Sequence, residues 1–220
     1  TGYDRDGGYA ELAAADESFC VPLPEGYDDV HLAPLLCAGA IGFRALRMVR
    51  DAEDLGLYGF GSSAYIVAQL ARQREQRTFV FTRAGDEDAQ RAARDLGAEW
   101  AGASGELPPR PLDAAIVFAP VGELVPIALR ALAPGGVVVC AGIHMTDVPS
   151  FRYSLLWEER QIRSVANVTR ADATGLLEHA AAHPLRVRAE AMPLDRAEEA
   201  LERVRSGHVT GSLVLVPRSA

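Results

Sequence analysis

The sequence predicts an α/β fold, a doubly wound six-stranded parallel sheet, on three observations. Short, near-continuous apolar runs alternate with segments of helical spacing between residues 55 and 168, the pattern of strands buried on both faces. The first run leads into "GFGSSA" (59–64), a glycine-pinched turn with strand character before it and helix character after it. Gly97 and Pro134-Gly135-Gly136 punctuate later segments where helices should stop. Right-handed crossovers then favour a sheet wound in two directions from its centre.

Along the chain, "DGGYAELAAADESFCVPLPEG" (6–26) reads as strand pieces and turns without a helical period. From Asp28, "DDVHLAPLLCAGAIGFRALRMV" takes helical spacing, interrupted by Pro34 and Gly39. Strand "LGLY" (55–58) precedes a helix through Ala71, then strand "TFVFT" (78–82) and a charged helix "DEDAQRAARDL" (86–96). The Gly/Pro-rich "AGASGELPPRP" (101–111) reads as a loop. Runs 113–119, 137–143 and 162–168 count as fourth, fifth and sixth strands, with a helix at 123–133. The tail, with helices at 171–182 and 195–207 and strands near 185–192 and 212–216, either extends the sheet or returns to the opening module.

Composition narrows the function classes. Thirty acidic against 22 basic residues give a net charge of −8 over 220 residues, which argues against a nucleic-acid partner. The densest basic run, "RQREQR" (72–77), reads as a solvated helix end. No apolar run reaches the roughly 20 residues of a membrane span. Cys20, Cys37 and Cys140 form neither a disulfide framework nor a Cys-x-x-Cys pair, so a reducing, cytoplasmic setting is expected. The chain starts at Thr1 without a visible signal peptide, and the expectation is that it begins inside something larger or has been processed.

Gly59, Gly61 and Ala64 fit G-x-G-x-x-[G/A]. The first position permits the turn, the second admits a pyrophosphate, and the small third residue lets helix approach strand. Phe60, Ser62 and Ser63 complete the turn, whose following helix N-terminus offers amide donors to phosphate. The plain alternative is a tight turn with no ligand. NAD sites expect an acid about 20 residues onward; here Thr82 and Arg83 stand at the end of the second strand. A hydroxyl and a planar cation suit a 2′-phosphate, so NADP is expected over NAD. A surface arginine is the simpler alternative. Ligands of such sheets bind beyond the carboxyl ends of strands, which adds Ala119, Pro120, Ile143, His144 and Asn167 to the candidates; a solvent-facing loop is the alternative for His144. No histidine pair stands out at metal-ligand spacing, so His31, His179, His183 and His208 read as surface or capping residues. Glu158–Glu159 and Glu198–Glu199 read as solvated helical faces.

The ordered set "DGGYAEL" (6–12), "APLLCAGAIGFRAL" (33–46), "GLYGFGSSA", "LDAAIVFAPVG", "LAPGGVVVCAGI" and "RAEEALERVRSGHVTGSLVLV" resembles the medium-chain dehydrogenase/reductase family, in its zinc-containing alcohol dehydrogenase branch. The resemblance covers nearly the whole chain and implies a Rossmann domain at 37–167. It also implies the end of a GroES-like, β-rich catalytic domain at 1–36 and a return to that domain at 168–220. The chain would then be the C-terminal two-thirds of such an enzyme. By resemblance Cys37 is a catalytic-zinc ligand, although a lone cysteine in "LLCAG" reads by itself as a small buried apolar residue. The strand-end backbones would line the nicotinamide. Two positions depart from the family: Ile41, where a cofactor-contacting Thr is usual, and Gly211, where some members place an Arg against the pyrophosphate. The implied activity is zinc-dependent hydride transfer between an alcohol or aldehyde and NADP(H), in a homodimer or homotetramer built through residues 150–167. Such a fragment is expected to bind cofactor without turnover. A zinc-free quinone or enoyl reductase, a methyltransferase using S-adenosylmethionine, and a non-catalytic nucleotide-binding module are the rival readings.

Overall fold

The computed structural model describes residues 5–207 and 209–217. They form two compact units, one from Ala38 to Val168, the other made of the residues up to Cys37 and from Thr169 onward.

In the smaller unit, residues 5–28 contain no strand, contrary to the expected strand pieces. Glycine, proline and small residues leave no continuous apolar face to pair, and Tyr9, Leu12 and Phe19 are exposed. One 3₁₀ turn, Glu17–Phe19, forms because the Asp16 carboxylate accepts from the Ser18 amide at 2.9 Å. Asp28 likewise caps α1 (Asp29–Leu32), accepting from the His31 amide at 3.0 Å. Pro34 sits in a 3₁₀ turn, Ala33–Leu36, that ends at Cys37.

The larger unit starts with α2 (Ala38–Arg47), in which Gly39 is an interior residue and not the predicted break. It continues through β1 (Asp54–Tyr58), α3 (Ser62–Gln73), β2 (Arg77–Thr82), α4 (Glu87–Asp95) and β3 (Trp100–Ala103). After these come β4 (Leu112–Val117), α5 (Leu124–Ala131), β5 (Leu132–Cys140) and β6 (Gln161–Ser164). All six strands are parallel, in the order β3-β2-β1-β4-β5-β6. The chain winds outward from β1 and then restarts at β4, so a crevice opens where their carboxyl ends diverge. β1 is buried along its whole length. Val125, Ala128 and Leu129 of α5 close over Tyr58, Phe81, Leu112 and Val117 in one apolar cluster.

Several boundaries differ from the sequence expectation for identifiable reasons. β3 opens the stretch read as a loop. Its Ala101 and Gly102 are buried small residues with weak strand propensity, and the Trp100 ring holds it to Phe81 at a centroid distance of 5.0 Å. β4, β5 and β6 stop at Val117, Cys140 and Ser164, so residues 118–120, 141–144 and 165–167 are loops. β5 starts before Pro134-Gly135-Gly136, and its register against β4 shifts between Leu112 and Ala114. The basic run 72–77 is a solvated helix end only in its first part, where Arg72 and Gln73 close α3 and are exposed with Glu75. Gln76 is buried, and Arg77 lies in β2 with its guanidinium on both Asp54 carboxylate oxygens at 2.6 and 3.0 Å. Glu158 and Glu159 have φ of +69° and +62°, a left-handed turn and not a helical face. By contrast, Gly97 ends α4 as the sequence implies: at φ +91° its amide reaches Arg94 O and the Ala98 amide reaches Ala93 O, the paired closure of a Schellman motif.

Tyr58, the last residue of β1, stacks on Phe81 at 4.0 Å and is fully buried, yet its hydroxyl has no hydrogen-bond partner. Burial alone pushes this phenol well above its ordinary pKa. An unsatisfied buried hydroxyl costs about 1–3 kcal/mol. Tyr58→Phe is therefore expected to leave urea stability unchanged or raise it by about 1 kcal/mol; a clear loss would show that the hydroxyl is bonded in solution.

The tail settles between its two alternatives. It forms α6 (Arg170–Ala182), β7 (Ala189–Pro193), α7 (Ala197–Arg205) and β8 (Ser212–Val216), and among the described residues β7 pairs only with β8, in parallel. It therefore does not extend the six-stranded sheet. Thr169 and Asp172 form a capping box at the start of α6, and Arg170 donates to Ser18 O in the opening segment. No single helix among the described residues is long and apolar enough to cross a membrane.

Candidate nucleotide-binding site

Three loops meet at the carboxyl ends of β1, β4 and β5. Gly59 leaves β1 at φ +88°, its amide bonded to Phe81 O of β2 at 2.8 Å. A Cβ there would lie 2.9 Å from both Ala119 Cβ and Ala119 N, so the turn is pressed against the loop after β4. Gly61 differs: its backbone is extended, and a Cβ would meet nothing within 4 Å. Its place is open space at the helix start, the room a pyrophosphate needs. The first intrahelical bond of α3 runs from the Tyr65 amide to Gly61 O at 2.9 Å. The amides of Ser62, Ser63 and Ala64 precede it, in the turn where a helix does not use its own donors. Ala64 is fully buried, as the small third position requires, and the Phe60 ring meets Tyr65 edge-on at 6.2 Å.

At the end of β2 the structure separates Thr82 from Arg83. Thr82 is 2% exposed; its hydroxyl donates to Arg83 O at 3.0 Å and accepts from Gln90 Nε2 at 3.1 Å. Thr82, expected to offer its hydroxyl to the cofactor, has that hydroxyl bonded within the protein, at the turn that carries Arg83. Arg83 itself is exposed. Gln90 and Asp86, which caps α4 through the Ala89 amide at 3.1 Å, escaped the sequence reading because helical position alone gives them no chemical signature.

The loops after β4 and β5 are bolted to each other. Phe118 N and Ala119 N both reach Tyr58 O, at 2.9 and 3.2 Å, and Ala141 N and Gly142 N both reach Val117 O. Gly122 N donates to Thr146 Oγ1 at 2.8 Å, while Thr146 N donates to Pro120 O at 3.3 Å. A Cβ on Gly142 would lie 3.0 Å from Pro120 Cα. Gly59, Ala119 and Pro120 are thus brought together with Gly142, Gly122 and Thr146, of which Thr146 lies outside the stretches that carry the family resemblance. Ile143 is 79% exposed on the same loop, and His144, also exposed, takes φ +52°. Asn167, exposed at φ +56°, lies three residues past β6.

Comparison with known proteins fits this geometry. Residues 98–215 match the family described as zinc-binding dehydrogenase. The chain belongs to the zinc-binding dehydrogenase family. It is 48% identical over 219 residues to the probable alcohol dehydrogenase AdhA of Mycobacterium tuberculosis, covering 98% of this chain and 63% of that protein. It is 30% identical to an alcohol dehydrogenase of Geobacillus stearothermophilus, covering 97% of this chain and 66% of that one. The alcohol dehydrogenase structure from Aeropyrum pernix superposes with a TM-score of 0.88 at 22% identity, over 99% of this chain and 67% of its own. The chain thus spans less than two thirds of the first of these relatives.

For a zinc-binding dehydrogenase, the metal donors present here are few. Cys37 is an exposed free thiol, not the buried apolar residue its neighbours suggest. Among the described residues no group of three or more His, Cys, Asp or Glu side chains could hold a metal ion. The described residues therefore do not by themselves fit a zinc centre. Cys20 is exposed and Cys140 half-buried. Ile41 is half-buried in α2. Gly211 takes φ +94°, and a Cβ there would fall 2.3 Å from Arg188 O, so backbone packing bars any arginine from that position. His208 lies outside the described residues. His183 is the C-cap of α6, as the capping reading had it, but the reading that no histidines stand at metal-ligand spacing is corrected: His179 and His183 are four apart with ring centroids 5.1 Å apart.

Proposed function

We propose that this chain is the cofactor-binding portion of an alcohol dehydrogenase-like oxidoreductase that uses NADP(H) on an alcohol or aldehyde. The observation that carries the reading is the open cradle at Gly61, held at the β1–β4 switch point by Gly59 against Ala119. Amides at the start of α3 would receive the pyrophosphate, with the positive end of the helix dipole behind them. Arg83 would take the 2′-phosphate, and the backbone around Ala119, Pro120 and Ile143 would flank the nicotinamide. The cofactor, when bound, supplies the hydride chemistry. The chain's contribution is orientation and exclusion of water from that face. Zinc enters only as a proposed thiolate bond to Cys37 completed by donors beyond the described residues, and no step is assigned to it. The substrate pocket is proposed to draw on sequence that the longer relatives have in addition.

Thermal unfolding with NADPH and NADH tests the cofactor choice. A charge-assisted bond to phosphate contributes about 1.5–3 kcal/mol, so Arg83→Ala should weaken NADPH binding about 10–100-fold and leave NADH nearly unchanged. The acids Asp86, Glu87 and Asp88 follow closely on Arg83 and oppose a 2′-phosphate electrostatically. Stronger stabilisation by NADH, or indifference of NADPH binding to Arg83→Ala, would mean that they prevail and would sink the NADP assignment.

A further inference from the structure

We infer that His179 and His183 form a two-imidazole binding site for a divalent transition-metal ion at the carboxyl end of α6. His179 lies in the last turn of α6 and His183 is its C-cap, one residue past the helix; the two rings stand 5.1 Å apart between centroids, tilted by 47°. Two imidazoles on one tetrahedral ion, each nitrogen at about 2.0–2.1 Å, place their ring centroids about 5 Å apart. The ring centroids thus already lie at the spacing a shared ion requires. A ligating imidazole uses one nitrogen for the metal and commonly donates the other to a carbonyl or carboxylate, so hydrogen bonding at either ring is compatible with the site.

The backbone beneath the pair is held in place. His183 N donates to His179 O at 2.8 Å, closing the last turn. The Tyr27 hydroxyl accepts from Leu185 N at 2.7 Å and lies 3.4 Å from Ala180 O, stitching the helix end to the opening segment of the same unit. Leu185 and Ala180 are buried, which fixes that anchor. The carbonyl end of the helix dipole favours a cation there. Imidazole donors select borderline ions such as Zn²⁺, Ni²⁺ and Cu²⁺ over Mg²⁺ or Ca²⁺. With two protein ligands the remaining positions belong to water, so the site is open. The rings meet only while α6 is helical, so metal binding should stabilise the folded state by linkage.

Ni²⁺ is the probe, titrated calorimetrically into untagged protein carrying Cys20→Ser and Cys37→Ser to remove exposed thiols, with no nucleotide present. One equivalent should bind and raise the unfolding temperature. His183→Gln, at an exposed helix end, should keep the far-UV circular dichroism and lose at least about tenfold in Ni²⁺ affinity together with the thermal shift. His179→Gln should do the same, whereas His31→Gln should bind as the parent does. Equal binding by the parent and His183→Gln, no stoichiometric binding by the parent, or an equal loss in His31→Gln would each overturn the assignment. None of these outcomes depends on whether NADP(H) binds.

Discussion

Gly59→Ala should unfold about 5–10 °C below the parent and lose the stabilisation that NADPH provides. A non-glycine residue at φ +88° pays about 1–2 kcal/mol for the left-handed conformation. The new methyl also falls 2.9 Å from Ala119 Cβ and Ala119 N, closer than Cβ atoms pack, for a total near 2–3 kcal/mol. In a chain of this size each kcal/mol shifts the melting temperature by about 2–4 °C. The loop after β4 must move to make room, and it carries Ala119 and Pro120. Nucleotide affinity measured by calorimetry well below the melting temperature separates lost geometry from lost stability. Adding Ala119→Gly removes one of the two contacts and leaves the backbone nitrogen in place, so it should restore stability only in part. Unimpaired NADPH binding by Gly59→Ala would show that the turn is not the cofactor cradle.

Gly122→Ala should be at least as damaging, for a different reason. Its Cβ would stand 2.2 Å from Asp147 O and 2.4 Å from Thr146 O, backbone atoms that cannot rotate aside. The loops after β4 and β5 would have to part, breaking the 2.8 Å bond from Gly122 N to Thr146 Oγ1. A loss of about 2–3 kcal/mol in urea denaturation is expected, with weaker NADPH binding as the strand-end loops separate. Thr146→Val removes the hydroxyl without adding bulk and should cost about 1–2 kcal/mol, the effect of leaving one amide unpaired. If the two variants lose equally, the hydrogen bond and not the close approach holds the loops together.

The glycine turn was legible because its demands are local. The φ of +88° at Gly59 and the small Ala64 answer to one strand, one turn and one helix, whereas the approach of Ala119 to Gly59 could not be read locally. The third strand was not legible: Trp100–Ala103 is short, rich in small residues and placed at the sheet edge, where pairing with β2 and the Trp100–Phe81 contact supply what propensity lacks. Thr82 shows the limit of reading a site residue by type. Its hydroxyl suits a phosphate in chemistry, and only the packing of α4 against β2 brings Gln90 within hydrogen-bond reach of it. The His179–His183 pair was present in the spacing, yet how near the rings stand depends on the end of α6, beside which Leu185 N is held by the Tyr27 hydroxyl, a residue distant in sequence.

By itself, the sequence determined the alternation of buried strands and helices, the turn at residues 59–64 and the end of α4 at Gly97, because these follow from local periodicity and backbone freedom. Tertiary structure alone decided the β3-β2-β1-β4-β5-β6 order, the pairing of β7 with β8 apart from that sheet, and the lock between Gly122 and Thr146. Those depend on contacts between residues far apart in the chain, whose free energies no local pattern encodes.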